Sequence, residues 1–497
     1  MNNNLTIFDV MYPKYKITKP IRLIECFAGY GSQALALKYL GVPFEHWKIC
    51  EWAIKSIQAY KDIHFENESA ILFGLDKEQE VERLYKQGIS SNYNEPMAKE
   101  QINRLSLEQI YRITENNLLT HNLVNIQQVK GKDLEIIDTD KYEYIMTYSF
   151  PCQDLSLAGK GKGMSDTSTR SGMLWEVERI LTECKQLGSM PQILLMENVP
   201  QIHNEQNIKD FHKWQVRLEE LGYKSYWQDL IATDFGIPQT RNRCFMVSIL
   251  GDYSYTFPKP IPLRLKLKDM LEDNVDEKYY LSDKLIENIK INNEKENYIG
   301  TYDYAQSDTL RPTMESRTHI DSNVSGALLA SGNHNGILIK NATKQGYLEA
   351  TDGDGIDISG RMEHHRGNVQ KDKIQTLTTS GGNDRGVCVK GIATNESKEW
   401  QKEPLEEKCR TILANKSNGG VGLIDTELRI RKLTPRECGR LMNVKDEDID
   451  KIQLSDSAMY HIFGDSICTN VLMAIFGELL DINWKQKLEE MLYGNTN

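Results

Sequence analysis

The sequence predicts an α/β fold: a mostly parallel sheet covered by helices, then a β-rich second domain and a helical C-terminal segment. Three observations carry this. Between Pro20 and about Pro258, short apolar runs alternate with longer amphipathic stretches, the pattern of strands joined by helices. From about residue 265 to 427 the texture shifts to Gly, Asn, Ser and Thr with short β-branched runs. From Arg429 to Asn497 a helical texture returns.

Taken in order, residues 21–26, 47–50, 144–148, 193–196 and 243–248 read as strands, and 32–39 and 174–187 as helices between them. Ligands on such sheets bind at the carboxyl ends of the strands, so the loops after these runs are the places to search. One stretch breaks the rhythm. Residues about 66–130 are charged and helical in pattern, and Ser106 and Gln109 stand at capping-box spacing ahead of an apolar run. This predicts a helical insertion between two sheet strands. Pro258, Pro260 and Pro262 then punctuate the chain. In the β-rich part, segments 327–340, 376–390 and 411–424 each repeat an apolar strand, a polar Gly/Asn turn and a second apolar strand. Repeated hairpins are expected there.

Of the 497 residues, 39% are hydrophobic and 26% charged, ordinary globular composition with ample material for a core. No apolar run approaches the ~20 residues of a membrane span, and the N-terminus lacks a secretory pattern. The expectation is a cytoplasmic protein with no membrane partner. The nine cysteines are scattered without a Cys-x-x-Cys pair, which argues against a disulfide framework or a zinc knuckle. No metal-ligand cluster is visible, and His364-His365 reads as a turn. The net charge of −11 neither supports nor excludes a nucleic-acid partner, because a basic cleft can sit in an acidic protein.

Several strand-end segments carry chemistry. Phe27-Ala28-Gly29-Tyr30-Gly31-Ser32 follows the first strand and opens a helix; glycines there admit a ligand close to the backbone, and a helix N-terminus favours an anion. The second strand ends at Glu51-Trp52. An acid there can hold a ribose hydroxyl pair and Trp52 can stack on adenine; a surface Glu beside a core Trp is an equal reading. Asp133, after a third candidate strand, could accept from an adenine amino group or be a turn aspartate. Phe150-Pro151-Cys152-Gln153-Asp154 presents a thiol in a strand-end loop, as a nucleophile or as a half-buried structural cysteine. Glu197-Asn198-Val199 delivers a carboxylate to the same crevice, where burial would raise its pKa; a satisfied strand-end Glu is the plainer view. Arg241 and Arg243, two apart in an extended segment, would share a face and suit phosphate or a base carbonyl, or form a solvated strand edge.

Together and in this order, these segments resemble the DNA (cytosine-5) methyltransferase family of bacterial or phage type. Residues 429–437, Gly464-Asp465-Ser466-Ile467 and Val471 agree with it. The resemblance covers nearly the whole chain outside the insertion and the β-rich part. It implies S-adenosylmethionine as cofactor, with Phe27, Gly29 and Gly31 along the methionine, Glu51 on the ribose, Trp52 on the adenine and Asp133 at the adenine amino group. Leu174, Asp465 and Ser466 would complete that site. Cys152 would be the nucleophile, Glu197 would contact the pyrimidine edge, and Arg241 and Arg243 would hold the base and its phosphates. One departure stands out: the family usually has Gly-Asn-Ser where this chain has Gly464-Asp465-Ser466.

The implied architecture is a doubly wound, Rossmann-like methyltransferase domain over residues 1–262, completed by 428–497. A target-recognition domain over 263–427 would face it across a cleft for duplex DNA. The polar turns at Asn333-His334-Asn335, Asn383-Asp384-Arg385 and 415–418 would read base edges. The protein is expected to be a monomer, with a cognate restriction endonuclease as an open partner. The alternatives are an RNA cytosine-5 methyltransferase and a catalytically silent DNA-binding homologue.

Overall fold

The computed structural model describes residues 12–70, 72, 74, 76–151, 170–282, 337–342, 347–359, 367–379, 385–392 and 426–494. The chain divides into two compact units, residues 1–265 with 438–497, and residues 266–437.

The first unit is built on a six-stranded sheet. Its strands are β1 (Ile21–Cys26), β2 (Phe44–Cys50), β3 (Glu143–Tyr148), β4 (Ile193–Asn198), β5 (Tyr223–Ile231) and β6 (Asn242–Leu250), in the order β2-β1-β3-β4-β6-β5. β1, β2, β3 and β4 run parallel, whereas β6 is antiparallel to both its neighbours. The parallel centre is why β1, β3 and β4 are buried along their whole length, as sheets covered on both faces require. β5 has no clean signature in the sequence because it is an edge strand, half exposed and rich in Lys, Ser, Gln and Asp.

Helices α1 (Ser32–Leu40) and α2 (Ile54–His64) follow β1 and β2. Helices α3 (Lys77–Gln87), α4 (Lys99–Asn103) and α5 (Leu107–Leu119) form the insertion between β2 and β3. Ser106 caps α5 as its spacing predicts: its side chain accepts from Gln109 N at 3.1 Å and Gln109 returns the bond at 2.8 Å. The insertion has its own apolar centre of Val81, Leu84, Ile89, Met97, Ile102, Ile110 and Ile113. Beyond it, α6 (Leu174–Leu187) and α7 (Ile208–Leu221) cover one face of the sheet through Val177, Ile180, Phe211 and Trp214. The C-terminal α8 (Asp456–Asp465), α9 (Thr469–Leu480) and α10 (Trp484–Tyr493) return to this unit, with α9 packed on α1. α9 is almost wholly buried.

The second unit contains a hairpin of β7 (Ile337–Lys340) and β8 (Tyr347–Ala350). It also contains a sheet of β9 (Gly355–Asp357), β10 (Val369–Gln370), β11 (Arg385–Ile392) and β12 (Thr426–Lys432), ordered β10-β9-β11-β12. Its described core is small: Leu281, Ile339, Ala350, Ile356, Val369, Cys388 and Ile430. The second halves of two repeats are strands, as expected. Their described partners differ from the expected hairpins, for β7 pairs with β8, and β11 with β9 and β12. β12 also shifts the expected return point. Pairing across its length with β11 holds residues 428–437 in this unit, and Arg431 makes a buried ion pair with Glu437 at 2.7 Å. The repeat at 411–424 and His364-His365 lie outside the described residues.

Candidate active site

Because β1 to β4 are parallel, Cys26, Cys50, Tyr148 and Asn198 end at one edge of the sheet. β6 enters antiparallel with Cys244 opposite Asn198, so Arg241 and Arg243 begin at that edge too.

At the β1 end, the chain turns through three left-handed residues, Phe27 at φ 59°, Gly29 at 56° and Gly31 at 83°. Phe27 N donates to Cys50 O at 2.8 Å, which holds the turn against the end of β2. A Cβ on Gly31 would lie 2.5 Å from His64 Nε2 and 2.7 Å from the Tyr60 ring, so packing requires glycine there. A Cβ on Gly29 would meet nothing within 4 Å, leaving its backbone open to a ligand. Glu51 accepts from Gly29 N at 3.0 Å and from Ala53 N at 2.8 Å. Burial pushes its carboxyl up to about 7, against those two hydrogen bonds. A buried carboxylate beside an open glycine backbone fits a ligand with paired hydroxyls, because each oxygen retains acceptor capacity. Trp52 packs on the apolar centre of the insertion. Leu174 is fully buried at the start of α6, in one cluster with Cys26 and Cys50, and Phe27 packs against that cluster.

Asp133 differs from expectation in its setting. No regular strand precedes it; residues 120–130 make only an isolated bridge, Asn122 to Ile49. The cause is the left-handed backbone at His121 and Val124, which interrupts pairing. Asp133 lies in a single 3-10 turn, with its carboxylate accepting from Lys130 N at 2.9 Å.

At the β3 and β4 ends, Glu197 is 8% exposed and contacts Arg243 Nε at 3.0 Å. Burial raises the Glu197 pKa, opposed by Arg243 and Arg241. The two arginines differ in depth. Arg243 reaches the carboxylate, whereas Arg241 is buried and donates to the Ser466 carbonyl; burial pulls Arg241 down to about 10. Asn198 Nδ2 donates to Phe150 O at 3.0 Å, which fixes the start of the Pro151-Cys152 loop to the strand that bears Glu197. Cys152 itself lies outside the described residues. Asp465, last in α8, has an exposed side chain and lies within reach of the charges of His461, Arg241 and Arg243. The Ser466 hydroxyl meets that of Ser32.

In the second unit, Arg385 opens β11, where Asp357 at 3.2 Å and Thr376 O at 2.9 Å engage its guanidinium. This makes it a brace within that unit. The other residues named as base readers lie outside the described residues.

Three placements had no signal in the sequence. Asn198 and Gln239 act as braces, the latter donating to Leu441 O at 2.7 Å, and both stood within noticed motifs without a distinct role. Tyr93 of the insertion stacks on His461 of α8; the two are too far apart in sequence to be linked. His203, Asp229 and Cys244 gather with donor atoms within 4.8 Å. His203 Nε2 lies 2.9 Å from Asp229 and the Cys244 thiol bonds the same carboxylate, so the three satisfy one another.

The family model described as C-5 cytosine-specific DNA methylase matches residues 86–481. The chain is 29% identical over 466 residues to the Type II methyltransferase M2.ScrFI of Lactococcus lactis subsp. cremoris, across 92% of this chain and 99% of that protein. It is 34% identical over 278 residues to the orphan methyltransferase M.SssI of Spiroplasma monobiae, across 55% of this chain and 70% of the relative. Among solved structures, the Entamoeba histolytica methyltransferase EhMeth shares the fold, with a TM-score of 0.51 and 14% identity over 93% of this chain and 99% of that one.

Proposed function

The chain belongs to the C-5 cytosine-specific DNA methylases, which use S-adenosylmethionine and act on duplex DNA, and from that premise we propose how its own residues divide the work. Cys152 is the nucleophile, Glu197 and Arg243 hold the pyrimidine, and the β1–β2 end holds the cofactor. The observation that carries this division is the Asn198 bond to Phe150 O. It ties Phe150, two residues before Cys152, to the strand bearing Glu197, which supports assigning the thiol and the carboxylate to one base.

Carbon 5 of cytosine is a weak nucleophile. Addition of the Cys152 thiolate at carbon 6 makes carbon 5 electron-rich. Burial raises the Glu197 pKa against Arg243 and Arg241, and in this reading Glu197 supplies a proton to the ring nitrogen and stabilises the charge developing there. Arg243, fixed by Glu197, offers its remaining N–H groups to the ring carbonyl. Arg241, tied to Ser466 O, buttresses the pair. Bound S-adenosylmethionine supplies the electrophilic methyl group, and Phe27, Gly29, Gly31, Glu51, Trp52, Asp133, Leu174, Asp465 and Ser466 would hold it. Loss of the carbon 5 proton then expels Cys152. The reacting carbons are inaccessible inside a duplex, so the base must leave the stack.

The second unit is the target-recognition domain in this reading, and the protein works as a cytoplasmic monomer on one short site. It pairs with a restriction endonuclease if the host encodes one for that site. The test is methyl transfer from labelled S-adenosylmethionine to unmethylated duplex DNA, followed by bisulfite sequencing. Methylation in one sequence context, lost in Cys152→Ala, is the expected result. Transfer to RNA alone would overturn it.

A further inference from the structure

We propose that the helical insertion is a wall of the S-adenosylmethionine site, with Tyr93 facing the cofactor and His461 bracing Tyr93 from the opposite side. This rests on the reading that Glu51 holds the ribose.

The insertion is bonded to the cofactor loop along its backbone. Ser90 N donates to Trp52 O at 2.7 Å and Ile54 N to Ser90 O at 2.9 Å, so residues 89–91 run beside the segment that follows Glu51. Trp52, which would meet the adenine, packs against the apolar cluster of the insertion that includes Val81, Leu84, Ile89 and Met97. Past Ser90 the chain doubles back. Ser90 Oγ donates to Glu95 O at 2.7 Å, and Asn92 Oδ1 accepts from Asn94 N at 3.0 Å and Glu95 N at 3.2 Å. This turn holds Tyr93 at φ 63°, a conformation that disfavours a bulky residue unless its surroundings enforce it.

Tyr93 is thereby placed flat on His461, with ring centroids 3.8 Å apart and planes 12° apart. His461 Nδ1 lies 3.5 Å from Asp465, one helical turn on. The charges of both Glu51 and Asp465 act on Tyr93. The Tyr93 hydroxyl is buried; Ser56 is the side chain that bonds it, and Glu51 and Asp465 are the charges near it. A phenol both donates and accepts, so one contact with Ser56 leaves one of these roles open. Beside the ribose-holding carboxylate, a cofactor hydroxyl is the group that would satisfy it.

A stack that merely staples the insertion to α8 would affect stability and leave cofactor affinity alone. The experiment therefore separates the hydroxyl from the ring. S-adenosylmethionine affinity is measured by calorimetry, and its KM and kcat by methyl transfer, on the full chain and on Tyr93→Phe, Tyr93→Ala, His461→Ala and Glu51→Gln. Loss of the hydroxyl alone should weaken binding about threefold, and loss of the ring about tenfold, with KM rising more than kcat falls. His461→Ala should weaken binding in the same direction. Wild-type affinity in Tyr93→Phe and Tyr93→Ala, with Glu51→Gln weakened, would make the insertion a scaffold and overturn the inference. Wild-type affinity in Glu51→Gln as well would instead overturn the reading beneath it. Should Tyr93→Ala not fold, Tyr93→Phe decides alone.

Discussion

Glu51 and Glu197 occupy equivalent places, each at the carboxyl end of a strand in one sheet and each nearly out of solvent. Their surroundings differ. Glu51 is held by two backbone N–H groups, Glu197 by a guanidinium in contact and a second nearby. The first keeps acceptor capacity toward a ligand, and the second is paired with cations that offset part of the rise that burial causes. A strand end supplies only position; burial raises both carboxyls, and their neighbours, backbone N–H groups or guanidinium groups, pull them back. In the reading above, pH acts on the two ends with opposite signs.

The largest expected effect breaks the two ends apart. Cys152→Ala should lower methyl transfer by about a thousandfold or more, as loss of a nucleophile does. Cofactor affinity should stay within about twofold of wild type, since the β1–β2 end is untouched. A rapid-quench transfer assay and calorimetry on the same preparation check both halves. Parallel loss of binding would show that the two ends do not function separately.

Next is Glu197→Gln. The amide keeps the shape but cannot donate its proton to a developing charge, so kcat should fall about a hundredfold. In the wild type, kcat should decline as pH rises through the raised Glu197 pKa, because the donor is lost on ionisation. A pH–rate profile in the variant should lack that alkaline limb. A limb retained in Glu197→Gln would assign it to another group.

The legibility of the two ends differed for physical reasons. Both carboxylates were readable because each stands at the end of a short strand run, 47–50 and 193–196, where ligands of such sheets bind; only the second run is buried on both faces. The opposed electrostatics were not readable. The partners of Glu51 are backbone atoms, which leave no trace in sequence, and the Arg241 tie to Ser466 spans 225 positions. β5 was missed because an edge strand needs no apolar run. In the second unit, the repeats announced strands but not partners: β11 bonds to β12 across a long connection, and short polar strands carry little register information.

Glu51→Gln sharpens the comparison from the other side. The ionised carboxyl is the better acceptor for ribose hydroxyls, and burial sets its pKa at about 7. Wild-type cofactor affinity should therefore rise as pH increases from 6 to 8, by about tenfold for a fully required charge. The variant should bind about tenfold more weakly at pH 8 and show a flat profile. Calorimetry at three pH values checks this, and an unchanged slope in Glu51→Gln would place the titrating group elsewhere.

Glu25 supplies the control that neither end can. It lies one residue before the end of β1, fully buried, accepting from Tyr60 Oη at 2.6 Å and Ala34 N at 3.3 Å, and burial also pushes it to about 7. With Tyr60 on one oxygen and a helix backbone on the other, it belongs to the packing beneath the glycine turn, so its titration should appear in stability instead of binding. The folded protein keeps this proton up to about pH 7, while the unfolded chain releases it near 4.5. The stability it contributes is whole below about 4.5, falls as pH rises between the two values, and is gone above 7. The difference is on the order of 3 kcal/mol, several degrees of Tm at this size. Glu25→Gln should lose up to about 1 kcal/mol at pH 5, where one hydrogen bond is weakened, and should gain on the wild type at pH 8. Thermal unfolding at both pH values reads the crossing. A wild type and variant that move in parallel would mean that Glu25 ionises in the folded sheet at an ordinary pKa, and that burial alone does not set the carboxyls at the edge above it.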